Sequence, residues 1–258
     1  MLRFVNNVGY TAFLAGDWDG ALAELEGVLA EDLDRGDRIS ILSNALIVHA
    51  CRGESVADGI AELERLGAEI TDARWRIPVL DLEGNAGLAV GRLEDARGAW
   101  RELARLEPSQ TPEFMYRAAR PALWNLDRVA AQADLKALDD TGVHGRVVEI
   151  RRLTIRAGLA ALDGQVAEAL AEYREALRGW RELRVPWDEA LTSVDMATLI
   201  DPARPEVQAA GESAREILSL LRASPFLARL TAALGRSGST ETAIGAAVEA
   251  GTEIATPS

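Results

Sequence analysis

The sequence predicts an all-α protein, an α-solenoid of about five to six helical hairpins, and three observations carry that reading. Elbow-like residues recur at Gly16, Gly53, Gly91, Asn125, Gly164 and Asp201, spaced by 37, 38, 34, 39 and 37 residues, the length of two helices with their turns. After three elbows the apolar residues follow one template: Ala21, Leu22, Leu25, Val28, Leu29; then Ala96, Trp100, Leu103, Ala104; then Ala169, Leu170, Tyr173, Ala176, Leu177. Such spacing puts them on one helical face. Finally, small residues recur where paired helices must touch: Gly9, Gly84 and Ala157 seven residues before an elbow, and Ala21, Ala96 and Ala169 soon after one. Minimal side chains on facing helices let two backbones pack closely.

The first hairpin turns at "GDWDG". Gly16 suits a helix C-terminus because glycine takes a left-handed conformation, and Asp17 can cap the next helix at its positive end. Trp18, like Leu93 and Val166 in later copies, is expected to fold back over its hairpin as an apolar plug. The second unit, Ser43 to Leu66, carries an insertion in "GESVADGI". The third, "EGNAGLAVGRLEDARGAWRELARLEP", turns at Gly91 and ends on Pro108. A fourth, Thr111 to Asp140, has no elbow glycine, and its Pro121 is expected to kink the first helix. The fifth turns at Gly164, and "PWDEALTSVDMATLIDP" and "SPFLARL" continue the helical text. We expect the helical array to occupy residues 1–235 and a linker-like, weakly helical tail residues 236–258, which begin near "GRSGSTET".

"NVGYTAFLAGDWDGALAELE" resembles a tetratricopeptide repeat at its Asn-Leu-Gly, Gly-Asp-aromatic and Ala-x-x-x-aromatic positions, with conservative changes, and the third unit repeats the match. That resemblance implies a right-handed superhelix. From Thr111 onward the text also resembles the C-terminal helical region of large bacterial signalling proteins. In these, a class III nucleotide cyclase domain or a LuxR-type activator is joined to an AAA-like ATPase. The resemblance implies neighbouring domains and no chemistry in this region itself.

Composition narrows the function. With 28 basic and 41 acidic residues the net charge is -13 and no basic cluster stands out, which argues against direct nucleic-acid binding. Among the basic residues only Lys136 is a lysine, and it has no preceding glycine loop, so no phosphate-binding motif is present. The lone Cys51 excludes an internal disulfide, and the absence of a secretory pattern or a long apolar run reads as a cytoplasmic chain. His49 and Cys51 are too poorly placed on a helix to share a metal and are expected to be buried structural residues, whereas His144 in "TGVHGR" is expected in a solvated loop. Asp32, Asp34 and Asp37 fit no calcium loop, because Gly36 and Asp37 are inverted and Ser43 stands where the bidentate glutamate belongs. We therefore expect no catalytic residue, no metal and no cofactor: a chain that is not an enzyme.

Stacked hairpins present the first helix of each pair on a concave surface suited to a peptide or partner helix. By register the inward positions are Arg3, Asn7, Tyr10, Asn85, Phe114, Arg117 and Arg151. The expected function is a non-catalytic protein-interaction and regulatory module of a bacterial signalling protein. Two alternatives stay open: a module that senses a small effector inside the superhelix, and the C-terminal part of a larger ATP-dependent regulator or nucleotide cyclase. Phe4 and Val5 lie on an apolar face with no polar capping helix before them, so the chain reads as the end of something longer or as one partner of a homo-oligomer.

Overall fold

The structure of the protein, a computed structural model, describes residues 11–238. Among these residues all regular structure is helical. Helical residues 11–15 lead into α1 (Trp18–Leu29), α2 (Arg35–Arg52), α3 (Ala57–Gly67), α4 (Arg76–Val90), α5 (Leu93–Leu106) and α6 (Thr111–Trp124). There follow α7 (Arg128–Asp139), α8 (Arg146–Leu162), α9 (Val166–Leu183), α10 (Pro186–Leu199), α11 (Pro205–Leu221) and α12 (Ser224–Leu234). A 3-10 turn, Gly235–Gly238, closes the described chain, so the tail expected from residue 236 lies almost wholly outside it. Arg3, Asn7, Gly9 and Tyr10 also lie outside the described residues. No described helix is long and apolar enough to cross a membrane.

Four elbow glycines end their helices in the left-handed region: Gly16 at φ 82°, Gly53 at 85°, Gly91 at 80° and Gly164 at 74°. A Cβ there would meet the following carbonyl, which is why glycine marks these turns. The fourth and sixth elbows differ from expectation. Asn125 keeps φ at -86° and the next residue, Leu126, takes the left-handed conformation at 58°. Near Asp201, α10 instead runs out into an extended Ile200, and the Asp201 carboxylate accepts from the Ala203 N–H at 2.9 Å. The expected kink at Pro121 falls in the last turn of α6, which continues as helix to Trp124.

Asp17 caps α1 by accepting from the Gly20 N–H at 3.0 Å. Trp18 is then the first residue of α1 and is 1% exposed. It stacks on Phe13 with ring centroids 5.0 Å apart and donates its indole N–H to the Phe13 carbonyl at 3.0 Å. Leu93 and Val166 hold the same first position in α5 and α9 and pack against the core. Behind them Ala21, Ala96 and Ala169 are buried, as are Leu25, Trp100 and Tyr173. The close approach at Gly84 is made against an indole: a Cβ added there would sit 2.6 Å from the Trp100 ring.

Ion pairs brace successive hairpins at nearly the repeat period. Arg52 reaches Asp19 across 33 residues, Arg117 reaches Asp81 across 36, Arg97 reaches Asp134 across 37 and Arg128 reaches Asp163 across 35. Asp134 is fully buried, held by the Arg97 guanidinium at 2.8 and 3.1 Å and by Arg101. In α2, Cys51 is fully buried, and burial pushes its thiol well above the usual range, so it stays protonated. His49 is less enclosed than expected: its side chain is 27% exposed and its Nδ1 lies 2.5 Å from Glu54. Asp34 caps α2 by accepting from the Asp37 N–H at 2.9 Å, which gives the acid-rich run a structural role.

A stack in which each hairpin touched only its neighbours would leave the ends apart. Here they meet. Helix α10 packs against α6, α8, α9, α11 and α12, and α12 also reaches α2 and α4. Trp187 of α10 lies 6.0 Å from Phe13, 4.9 Å from Trp18 and 4.9 Å from Phe226 of α12. Pro225 covers Gly53, Arg52 donates to the Leu221 carbonyl at 3.2 Å, and Arg222 pairs with Asp19. Residues far apart in the chain thus share one apolar core.

Candidate functional site

The expected inward positions mark the beginning of a polar belt on the inner helices. On α4, Asn85 donates to the Asp81 carbonyl at 2.8 Å and to its carboxylate at 3.1 Å, and Trp100 donates to that carboxylate at 3.2 Å. Arg117 of α6 links Asp81, at 2.8 Å, to Glu113, at 2.6 Å. Glu113 also faces Arg151 of α8 at 3.5 Å. Asp81, Asn85 and Glu113, Arg117 are each four residues apart, so each pair shares a helical face.

The belt continues inward through Tyr116, whose ring lies 5.7 Å from the Arg151 guanidinium carbon and 5.0 Å from that of Arg120. Arg120 donates to the Tyr116 hydroxyl at 2.8 Å and to both Asp195 oxygens at 3.0 and 3.1 Å. Trp124 donates to Asp195 at 2.7 Å, and Arg229 of α12 lies 4.0 Å over the Trp124 ring. Four carboxylates (Asp81, Glu113, Asp188, Asp195) therefore face four guanidiniums (Arg117, Arg120, Arg151, Arg229) across five helices.

Burial favours the neutral form of Arg120, but Asp195, Tyr116 and Asp188 outweigh it and hold the guanidinium above its ordinary pKa. Burial likewise lifts the Tyr116 hydroxyl well above the usual phenol range, so it remains a proton donor and acceptor without ionising. Burial pushes the Asp195 carboxyl above its ordinary range, and the Arg120 guanidinium with the hydrogen bonds from Trp124 and Arg120 opposes that shift in favour of the carboxylate.

Three of the four described groove residues, Asn85, Arg117 and Arg151, are brought together in this belt. Phe114 is not; it packs against the core beside it. The belt encloses two small cavities. One, between Phe13, Asn44, Ile47, Asn85 and Arg117, measures about 20 Å³. The other, between Asn85, Glu113, Arg120, Arg151, Trp187 and Asp188, measures about 30 Å³. A water needs roughly 10–15 Å³, so each takes water-sized groups and neither takes a metabolite. Trp187, Asp188 and Leu191 of α10 line the second cavity opposite Glu113, Arg117 and Arg151.

The sequence reading omitted Asp81, Glu113, Tyr116, Arg120, Asp188 and Asp195. Helical spacing of three or four from Asn85 and Arg117 points to Asp81, Glu113 and Arg120, and Tyr116 lies four residues from Arg120. Nothing local points to Asp195, which meets Arg120 across 75 residues. Among the described residues, no group of three or more His, Cys, Asp and Glu is placed to hold a metal ion. His144 stands exposed in its loop, 3.9 Å from Glu149. Compared with protein-family models and with curated proteins, the chain matches none.

Proposed function

We propose that the chain is a non-catalytic scaffold of tetratricopeptide-like hairpins, about five to six of them in a right-handed superhelix, that serves protein interaction in the bacterial cytoplasm as part of a signalling system. The observation that carries this reading is the recurrence of ion pairs at 33 to 37 residues, which is what successive copies of one hairpin unit produce when they stack in register. Most inner polar residues pair with one another, and Trp187 and Asp188 of α10 lie against them, which favours partner contact on the outer face and the hairpin edges. Val90, Leu126 and Val129, at or beside the third and fourth elbows, are 67%, 63% and 79% exposed, and the Asn125–Glu94 hydrogen bond of 2.9 Å ties those elbows side by side. Exposed apolar residues gathered on one edge favour a protein partner over a soluble effector.

The test is affinity capture with the full chain, identification of the retained protein, and titration of that purified partner against wild type and Val129→Asp. Binding that the substitution weakens supports the reading. A chain that retains no partner, or that itself hydrolyses ATP or forms a cyclic nucleotide after contaminants are removed, overturns it. An in-frame ATPase or cyclase domain upstream in the gene would place the partner on the same polypeptide.

A further inference from the structure

A second concavity lies away from the belt. Between α9 and α11 a half-open notch of about 170 Å³ is floored by Met196 of α10 and lined by Leu170, Leu177 and Ala210. Its register is fixed at one end by a polar tie. Arg181 of α9 donates to the Glu189 carboxylate of α10 at 2.6 Å, and Ser213 of α11 donates to the same oxygen at 3.2 Å. Short turns join α9 to α10 and α10 to α11, so α10 runs antiparallel to both. Moving seven residues, about two turns, from the tie along each helix reaches Arg174, Met196 and Glu206. All three line the notch at one level.

Arg174 and Glu206 are both exposed, and among the described residues neither side chain has a hydrogen bond or an ion pair. In the belt, by contrast, Asp81, Glu113, Arg117, Arg120, Arg151 and Asp195 are all held in ion pairs. An unmatched cation on one wall and an unmatched anion on the other, above an apolar floor, complement a ligand that carries both charges and a short hydrocarbon. A simple anion would be repelled by Glu206, and a simple cation by Arg174. Size sets a second bound: a cavity of about 150 Å³ holds benzene, so this one suits roughly six to nine non-hydrogen atoms. Nucleotides and folded peptides exceed it.

We propose that the notch between α9 and α11 binds a free α-amino acid with an aliphatic side chain, its carboxylate on Arg174, its ammonium on Glu206 and its hydrocarbon over Met196. The test titrates L-leucine into the full chain, read by calorimetry and by the NMR signal of the Met196 methyl group. Saturable binding with a shifted Met196 signal is expected. Arg174→Ala and Glu206→Gln, both at exposed positions, should keep the melting temperature and each weaken binding about tenfold or more, the loss of one charge-assisted hydrogen bond. The analogues 4-methylpentanoate, without the ammonium, and isoamylamine, without the carboxylate, should bind more weakly than leucine. The proposal is overturned by an absence of saturable binding at millimolar leucine, by variants that bind as wild type does, or by analogues that match leucine. These outcomes are independent of whether a protein partner docks on the elbow edge.

Discussion

Asp195 and Arg120 illustrate how a single side chain can matter far from its place in the sequence. The pair is buried, at 1% and 4% exposure, and Asp195 also accepts from Trp124. Removing one partner leaves the other charge buried without compensation, so Asp195→Asn should destabilise the fold by about 3–5 kcal/mol. Replacing both, as Arg120→Met with Asp195→Leu, should recover much of that loss; chemical denaturation of the two variants checks both statements. Asp34 acts at the surface. Hydrogen bonding to the Asp37 N–H, against a small burial effect, holds its carboxyl below the usual 3.8. A depressed folded-state pKa stabilises above the unfolded pKa, and the benefit is lost as pH falls through the lower folded value. Asp34→Ala should therefore cost about 1 kcal/mol near neutrality, and its melting temperature should converge on that of wild type as pH falls below 3.8.

Hairpins are where small residues become geometry. A side chain at Gly84 would enter the Trp100 ring, whose indole N–H is in turn held by Asp81. Gly84→Leu should overpack the α4–α5 contact and cost about 3 kcal/mol, at the upper end for such insertions. Arg92, on the same hairpin's elbow, has a side chain 63% exposed and pairs only with Asp95. Its replacement by alanine should change the melting temperature little, and equal losses from the two substitutions would contradict the packing described. The same scale explains why the fourth elbow was misplaced by one residue. Without glycine, the chain puts Leu126 into the left-handed conformation while Asn125 stays near-helical, and propensity favours the opposite assignment.

At the scale of the molecule, contact between the ends changes the expected stability behaviour. A linear array opens from its termini, because each unit depends only on its neighbours. In this chain α12 packs on α2 and α4, and Phe226 lies 4.9 Å from Trp187, which in turn touches Trp18. Phe226→Ala should cost about 3–5 kcal/mol and should reduce amide protection in α2, more than 170 positions earlier in the chain, as hydrogen exchange would show. Loss of protection confined to α11 and α12 would mean that the ends are not energetically coupled.

Helical content, most elbows, the apolar stripes and the close contact at Gly84 were legible because each depends on residues within one hairpin: periodicity, a left-handed glycine, a missing Cβ. So were three members of the inner belt, since helical register fixes which side of its own helix a residue occupies. Register does not say what stands opposite. That Asp195 faces Arg120, that Trp187 and Asp188 of α10 share a cavity lining with Asn85 and Arg117, and that Arg174 and Glu206 line one notch with Met196 are contacts between separate helices, set by how whole helices pack. The sequence by itself determined the helices, most of their turns and the apolar side of each; only the tertiary structure decided which distant helices meet and which charges are left unpaired, because those outcomes depend on the packing of whole helices, which no local pattern encodes.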